Sequence, residues 1–470
     1  MKKYGKLYGY YSFNTPILTI GDPELIKQVC IKDWSSFPNR SVPSVLSVRD
    51  EPLLGLNIDE TTDSHWQRIR QTMNPGFTSS KLKQLWPKID ESLSKLFEAV
   101  EPYVAVGGQS GSPVPMKQLY EQYVINIHAL SIFSLAINAH KQPEHPYVRH
   151  TLNILNPNPL RSLAVRLLPA PVLKLLNMNI LFEEESNEYF LQLTSHLMNE
   201  RQLMATTDKN NSNSSTGSSS SNQYNDWLEL LMTNMVANKW QFHPNNKGIN
   251  GEKFTNEEIL ANAWILTTVG FDSTVTTHTY ASYELANNPR LQQQVYDEVM
   301  SCMDTTTTTT SGRKLDYNRL MTIELLDSVI SETLRLHSPA VRESRFTETT
   351  SDYQLGDTGI SVKQGEKVEF PIYAIHHCED YYPSASEFRP ERFLPANRHQ
   401  LIPGTYLPFG LGPRHCLAKQ FVLMLVKISL ANLLVRYRLS TCPQTDPRPL
   451  HSSLIYAPKH TLVLKFESRN

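Results

Sequence analysis

The segment 408–418, which reads PFGLGPRHCLA, constrains the fold more than any other part of the chain. Its glycines and flanking prolines favour a tight turn, because glycine adopts positive φ without a steric cost. An apolar run over 417–435 follows and predicts a helix that begins next to Cys416. Amides at a helix N-terminus and the nearby Arg414 favour a thiolate, which is a soft metal ligand. Taken alone, the pattern also fits a buried cysteine or a nucleophile beside His415.

The composition excludes several classes of protein. The chain has 470 residues, with 45 basic and 46 acidic side chains and a net charge of -1, so nothing indicates nucleic acid as a partner. None of the five cysteines forms a C-x-x-C pair, which argues against zinc and fits reduced thiols in a cytosolic environment. No stretch reaches the roughly 18 apolar residues of a membrane span, and the N-terminus lacks the apolar core of a signal peptide.

The distribution of apolar residues predicts a mainly α protein with small β-sheets at the start and near the end. Strand-like runs occupy 8–13 and 17–20, and Asp22-Pro23 predicts a helix start. Further strands are expected within 353–374 and 461–466. The remaining predicted helices cover 64–73, 81–103, 116–139, 257–287, 322–336 and 417–435.

Three segments stand apart in composition. Residues 208–222 and 305–312 are low-complexity runs rich in Ser, Asn and Thr, and we expect them to be disordered loops. Residues 163–181 are unusually apolar. They fit either a core segment or a surface patch that rests on a membrane.

The 408–418 segment resembles the haem-binding loop of the cytochrome P-450 family. It matches that loop at Phe409, Gly412, Arg414 and Cys416, with Ala418 where glycine is commoner. The resemblance implies the P-450 fold. In that fold haem b would lie between the long central helix, predicted over 257–287, and the 408–418 segment, here called the cysteine loop. It also implies that Cys416 is the axial iron ligand, that Phe409 shields the sulfur, and that Arg414 pairs with a haem propionate.

Two more segments resemble family elements in the family's order. Glu332 and Arg335 match its Glu-x-x-Arg element, and a spacing of three places both charges on one helical face. The segment 388–393, FRPERF, matches the loop whose second arginine, here Arg392, joins that pair. The resemblance implies a mainly structural charge network that fixes the loop before Cys416.

The segment 269–274, VGFDST, resembles the family's oxygen-activating element within the central helix. Glycine and hydroxyl side chains weaken helical bonding there and favour a local opening. Asp272 and a following hydroxyl would then transfer protons to bound oxygen. The sequence departs from the family at Val269 and at Ser273, where Thr is usual, and Thr274 is the substitute we expect. Asp272, Ser273 and Thr274 are therefore the candidate catalytic residues.

Haem carries two propionates, so the resemblance also implies basic partners for them. Trp66 and Arg70 match the family's Trp-x-x-x-Arg helix, and Arg345 matches a further propionate position. Arg40 is an additional candidate. The predicted edge of the substrate pocket comprises Leu46, Val341 and Arg342.

The resemblance covers nearly the whole chain and is closest to the animal microsomal branch that includes 3A-type drug-oxidising enzymes and thromboxane synthase. The resemblance to this branch rests on segments 4–9, 77–83 and 464–469. Members of that branch begin with a membrane anchor, and this chain starts just after its position. We expect one catalytic domain over 1–470 that lacks the anchor. It would lie at the cytosolic face of the endoplasmic reticulum, in peripheral membrane contact, or in the cytosol if the start is genuine.

The implied activity is that of a haem-thiolate monooxygenase, which inserts one atom of O2 into an apolar small molecule. Electrons from NADPH would arrive through a separate NADPH-cytochrome reductase, with cytochrome b5 as a further donor. The expected docking face surrounds Arg68, Lys81, Lys83 and Lys419. Two alternatives stay open: an isomerase or dehydratase that rearranges a peroxide without a reductase, and a non-catalytic haem binder.

Overall fold

A computed structural model describes residues 1, 3–12, 15–40, 53–104, 111–155, 164, 168, 172, 183–211, 224–233, 254–309, 312–451, 456–458 and 462–469. These residues fall into two compact units. The first, here called the sheet unit, comprises Met1–Ser41, Leu93–Glu121 and Asp272–Asn470. The second, the helical unit, comprises Val42–Ser92 and Gln122–Phe271.

Helices dominate the described residues, and the small sheets confirm the predicted fold class. The helices are α1 Pro23–Lys27, α2 Asp63–Met73, α3 Ser79–Lys83, α4 Trp86–Val100, α5 Met116–Phe133, α6 Pro146–Leu155, α7 Glu184–Asn211, α8 Trp227–Thr233, α9 Asn256–Asn287, α10 Pro289–Met300, α11 Tyr317–Thr322, α12 Glu324–Leu336, α13 Ile372–His376 and α14 Lys419–Arg436. Within the described ranges, no helix combines the length and the apolarity needed to cross a lipid bilayer.

All described strands belong to the sheet unit. They are β1 Leu7–Ser12, β2 Thr15–Ile20, β3 Asn39–Arg40, β4 Val114–Pro115, β5 Met303–Thr309, β6 Gly312–Leu315, β7 Glu343–Phe346, β8 Tyr353–Gln354, β9 Ser361–Val362, β10 Lys367–Phe370, β11 Tyr437–Ser440, β12 Pro449–His451, β13 Tyr456–Pro458 and β14 Val463–Ser468. The main sheet has the order β1-β2-β10-β7-β3, and a second has the order β11-β14-β4. Only β10 and β2 pair in parallel within the main sheet.

Local signals in the sequence explain where several elements begin and end. The Asp22 carboxylate accepts from the amides of Glu24 and Leu25, and Pro23 follows it, so α1 begins as predicted. Helix α5 ends at Phe133 because Ser134 adopts φ +56° and its amide donates to the Leu130 carbonyl.

The core of the sheet unit packs α1 and its following turn against the main sheet and the segment that leads to the cysteine loop. Apolar side chains from both ends of the chain meet there, including Ile20, Ile26, Phe370, Ile375 and Leu407. This core holds β7 and the cysteine loop on one scaffold.

Two predicted loops differ from the structure. Strands β5 and β6 pair as an antiparallel hairpin where the sequence predicted a disordered loop over 305–312. Threonine is β-branched and favours extended backbone, which explains strand formation in a low-complexity run. Helix α7 continues through 208–211, and the rest of the predicted loop over 208–222 lies outside the described residues. The apolar segment 163–181 also lies outside them, except for three isolated positions.

Stability is expected to fall as the pH decreases below about 6.5, because three buried imidazoles are neutral in the folded chain. Burial lowers the pKa of His128 and His278 to about 4 and that of His376 to about 3. Between these values and 6.5 the unfolded chain binds protons that the folded chain excludes. Each group then removes about 1.4 kcal/mol of stability per pH unit.

Urea denaturation at a series of pH values from 7.5 to about 5 measures this slope. We expect the midpoint to decrease steadily as acid is added. A midpoint that is flat or rises over this range would contradict the buried neutral state of these histidines.

Candidate active site

The turn before Cys416 is built on two glycines with left-handed backbone. Gly410 has φ +72° and Gly412 has φ +75°, a region that side chains disfavour. The Gly410 amide donates to the Leu407 carbonyl at 3.1 Å, and the Cys416 amide donates to the Phe409 carbonyl at 2.8 Å. These bonds close the loop and present a half-buried Cys416 at its end.

Close backbone approach requires glycine at 412, and a side-chain carboxylate lies close to 410. A Cβ on Gly412 would lie 1.9 Å from the carbonyl oxygen of Cys30, in the turn after α1. A Cβ on Gly410 would lie 2.6 Å from the Glu343 carboxylate on β7. The cysteine loop is thereby seated on two elements that are distant in sequence.

Cys416 lies before helix α14 rather than inside its first turn. The helix begins at Lys419 with Ala418 as its N-cap, two residues later than the predicted start at Leu417. Ala418 has φ −86° and ψ 9°, so the backbone enters the helix only after it. The His415 imidazole donates from Nδ1 to the Gly412 carbonyl at 2.8 Å, which engages that nitrogen within the loop.

Arg345 on β7 has an incomplete set of partners. Its Nη1 lies 2.9 Å from the Glu343 carboxylate and donates to the Ser344 carbonyl at 2.9 Å. Its Nη2 is buried and has no hydrogen-bond partner among the described residues. An unpaired buried guanidinium donor is costly unless an anion satisfies it. This donor, next to the Glu343 that contacts the cysteine loop, fits a propionate of haem.

Arg414 is buried, and it holds the loop onto β3. Its Nε donates to the Pro38 carbonyl at 2.7 Å, and its Nη2 donates to the Asn39 side chain at 3.1 Å. Arg40 in turn donates to the Arg414 carbonyl and lies 3.5 Å from Glu343. The structure therefore gives Arg414 and Arg40 loop-fixing contacts besides the cofactor role that the sequence predicts.

Trp66 and Arg70 lie one turn apart on α2 of the helical unit. Trp66 is buried and Arg70 is half-buried, and their spacing of four places them on one face of the helix. Their role as partners of haem propionates stays a prediction.

The central helix α9 is mostly buried but presents one accessible stripe. Val269 is 54% exposed, and Leu266, Gly270 and Ser273 are partly exposed at helical spacing. Thr274 is buried, so the two hydroxyls proposed for catalysis differ in accessibility. The helical assignment is continuous through these residues.

Side chains compete for backbone acceptors just after this stripe. Thr277 donates to the Ser273 carbonyl at 2.7 Å, and His278 Nδ1 lies 2.8 Å from the Thr274 carbonyl. Such bonds to the preceding turn weaken the helical ladder locally. The helix is nevertheless unbroken over 256–287, so the predicted local opening is not observed there.

Asp272 belongs to a charged group that sequence reasoning missed. Burial raises the pKa of Asp272, and the Lys117 cation opposes that shift. Lys117 also lies 3.6 Å from the Glu121 carboxylate on α5, whose pKa burial raises too. Two carboxyl groups thus share one cation. The only signal was a Lys-x-x-x-Glu spacing on a helix that has no other Lys, Arg, Asp or Glu.

The predicted charge network is confirmed in the sheet unit. Arg335 donates to both oxygens of Glu332 at 2.7 and 2.8 Å, and Arg392 lies 3.4 Å from the same carboxylate. Arg335 also donates to three loop carbonyls, those of His376, Ala385 and Glu387. Glu332 and Arg335 are fully buried, so every charge depends on its partner.

His376 connects this network to the cysteine loop, and sequence reasoning missed it. Its Nδ1 lies 3.1 Å from the Arg335 carbonyl, and its Nε2 accepts from the Leu407 amide at 3.0 Å. Its low pKa, caused first by burial and then by the Arg335 charge, keeps Nε2 unprotonated as that acceptor requires. No local motif distinguishes this histidine from its neighbour His377.

The predicted docking face needs a correction at Arg68. Its side chain is only 14% exposed and forms an ion pair with Glu258, which also lies 2.7 Å from His65. Glu258 caps the start of α9 together with Thr255. Arg68 thus has a structural partner, whereas Lys81 and Lys83 are exposed on α3.

Known proteins resemble the chain over nearly its full length. A family model described as Cytochrome P450 matches residues 1–466. Lithocholate 6-beta-hydroxylase of Mesocricetus auratus is 30% identical over 478 residues, covering 100% of this chain and 86% of the relative. Cytochrome P450 3A28 of Bos taurus is 29% identical over 475 residues, covering 100% and 85%. Cytochrome P450 9e2 of Blattella germanica is 30% identical over 465 residues, covering 95% and 82%.

Proposed function

This chain belongs to the cytochrome P450 family and is a monooxygenase, and from that premise we propose that Cys416 binds haem b and that an apolar small molecule is the substrate. One oxygen atom of O2 enters that substrate and the other leaves as water. NADPH supplies the electrons through a separate NADPH-cytochrome reductase, with cytochrome b5 as a second donor.

The geometry of the cysteine loop is the main observation that supports this proposal. Two left-handed glycines, each closed in by a neighbouring residue, leave Cys416 half-buried at the end of a fixed turn. A rigid, partly accessible thiolate suits ligation of a soft metal better than general acid–base chemistry. When bound, haem would supply oxygen activation, which the Cys416 thiolate would favour by donating electron density to the iron.

Other side chains hold the cofactor. We propose that Arg345, through its unpartnered Nη2, and Arg414 pair with haem propionates, and that Trp66 and Arg70 are further propionate partners, as the resemblance implies. Phe409, which precedes the turn, shields the sulfur. The domain that performs this function spans residues 1–470.

The central helix supplies the side chains that transfer protons. A raised pKa lets the Asp272 carboxyl hold a proton nearer neutral pH, and the Lys117 cation limits that shift. Ser273 Oγ, on the accessible stripe, passes the proton toward the oxygen site, and Thr274 supports the helix from its buried side.

Membrane association is part of the proposal. The animal relatives include an enzyme of the 3A type and one named as a hydroxylase of lithocholate. An apolar substrate of this kind partitions into lipid. We therefore place the protein at the cytosolic face of the endoplasmic reticulum, in peripheral contact through residues 163–181.

The absorption spectrum of the reduced, carbon monoxide-bound protein tests whether Cys416 is the ligand of the haem iron. We expect the red-shifted absorption band of thiolate ligation, and we expect Cys416→Ala to lose it. Cys442→Ala, which removes another half-buried thiol, is the matched control and should keep the band. A histidine-type spectrum, or an unchanged spectrum in Cys416→Ala, would refute the assignment.

An assay of product formation distinguishes a monooxygenase reaction from that of a peroxide isomerase. Product formation should require NADPH, reductase and O2 together. Rearrangement of an endoperoxide without NADPH would overturn the proposed reaction while leaving the haem ligand intact.

A further inference from the structure

Five side chains of the sheet unit form an array that the proposed function does not use. They are Tyr280, Glu284, His337, Tyr373 and Tyr456, here called the tyrosine array. Tyr280 and Glu284 lie on α9, His337 caps the end of α12, Tyr373 lies on α13 and Tyr456 begins β13. The array therefore joins the central helix to three other elements.

The rings of the array are in continuous contact. Tyr280 and His337 stack with centroids 4.0 Å apart and planes 4° apart. The Tyr456 ring lies 5.5 Å from Tyr280 and 5.9 Å from His337, and Tyr373 lies 5.7 Å beyond Tyr456. Tyr280 follows Ser273 by seven residues on one helix, which is about 10.5 Å along its axis.

The two ends of the array differ in accessibility. Tyr280 is fully buried, and Glu284 and His337 are nearly so. Tyr373 is 39% exposed. Stacked aromatic rings thus lead from the buried central helix to solvent.

A hydrogen-bonded chain gives one phenol of the array a proton acceptor. His337 Nε2 lies 2.7 Å from the Glu284 carboxylate, and its Nδ1 lies 3.2 Å from the Tyr456 hydroxyl. A carboxylate only accepts, so Nε2 carries the proton and Nδ1 accepts from Tyr456. The Tyr280 hydroxyl donates to the Pro447 carbonyl at 3.2 Å and also interacts with the Tyr456 phenol, and neither partner is a base like an imidazole.

Tyr456 is consequently suited to one-electron oxidation. Burial raises its pKa to about 12, so the phenol is protonated at neutral pH and must release a proton when it is oxidised. His337 takes that proton at Nδ1, and the buried Glu284 carboxylate stabilises the resulting imidazolium. A phenol without such an acceptor would have to form an unstable cation radical.

We propose that Tyr456 is a redox-active tyrosine through which the tyrosine array carries electrons from surface reductants to an over-oxidised haem, giving the protein a reductant-dependent peroxide-reducing activity. This inference rests on the proposed haem at Cys416. It adds a second activity, which protects the chain when a peroxide oxidises the haem and no substrate is bound.

The electrons and protons balance. A hydroperoxide oxidises the haem by two equivalents and leaves as the alcohol. Tyr456 gives one electron to the haem and its proton to His337, forming a neutral phenoxyl radical. A one-electron donor such as ascorbate then reduces the radical through Tyr373, and the proton returns from His337. Two such cycles, with two protons from solvent, reduce the haem and release water.

The test is electron paramagnetic resonance of the haem-loaded protein, freeze-quenched after mixing with a peracid. We expect a tyrosyl radical that Tyr456→Phe and His337→Gln both lose. Tyr437→Phe is the control, because Tyr437 is a tyrosine outside the array whose ring neighbours are Phe97 and Phe466; it is buried, whereas Tyr456 is half-buried. That variant should keep the signal.

The outcomes are separable from those of the proposed function. The carbon monoxide band of each variant reports haem ligation independently of the radical. A soluble ruthenium(III) photo-oxidant, which attacks from solvent, should produce the same Tyr456 radical without a peroxide. Ascorbate should also slow haem bleaching by peroxide, and Tyr373→Phe should lose that protection. A radical that persists in Tyr456→Phe, or none with either oxidant, would overturn the proposal.

Discussion

Gly412→Ala is expected to abolish the thiolate-type carbon monoxide band and to destabilise the fold. The new Cβ would lie 1.9 Å from the Cys30 carbonyl oxygen, which is backbone and cannot rotate away. The left-handed φ of +75° adds a strain of about 1–2 kcal/mol for any L side chain. Relief of the overlap requires the loop to move away from the turn after α1, and Cys416 moves with it.

Gly365→Ala is the matched control for this substitution. Gly365 has φ +74°, nearly that of Gly412, but a Cβ there would meet nothing within 4 Å. We expect a loss of about 1 kcal/mol with an unchanged spectrum. Denaturation and the carbon monoxide spectrum, measured on both variants, separate backbone strain from steric overlap. Equal behaviour of the two variants would show that the contact with Cys30 is unimportant.

Glu332→Gln is expected to destabilise the fold strongly, because it leaves the fully buried Arg335 and the half-buried Arg392 without their shared counter-charge. Arg335 and Arg392 both pair with this carboxylate, and the Arg389 amide donates to it at 2.9 Å. Removal of one partner from a buried ion pair costs about 3–5 kcal/mol. Urea denaturation should show this loss, and haem should fail to incorporate.

Glu391→Gln provides the comparison for an exposed pair. Glu391 lies 2.9 Å from Arg389, and both side chains are about half exposed, so solvent screens the charges. Its denaturation midpoint and haem content should match those of the parent chain. If Glu332→Gln behaved in the same way, the network would not be what fixes the loop.

The sequence predicted those parts of the site that depend on local pattern. Helical spacing brought Glu332 and Arg335 together, and the glycines around Cys416 indicated a turn with positive φ. Both predictions rest on neighbours within a few residues. The start of α14 was wrong by two residues, because an apolar run does not reveal where the backbone first becomes helical.

Features that depend on distant partners could not be predicted. From the sequence alone, Arg68 is expected to be a surface cation. In the structure it pairs with Glu258, which lies 190 residues later in the chain. His376 gains its role only from Arg335 and Leu407. Burial and pairing of this kind arise from tertiary packing, and one sequence without structure holds no signal for them.

The main sheet has a consequence for how the protein matures. Its β2 strand, Thr15–Ile20, pairs with β10, Lys367–Phe370. In the cysteine loop, Gly412 packs against the backbone of Cys30. Each of these contacts joins segments more than 300 residues apart, and such pairings form slowly because a long loop must close first. The surfaces that receive the cofactor therefore come together only after the ribosome has made most of the chain. We expect cofactor incorporation to be a late, post-translational step that competes with degradation of the unfilled protein.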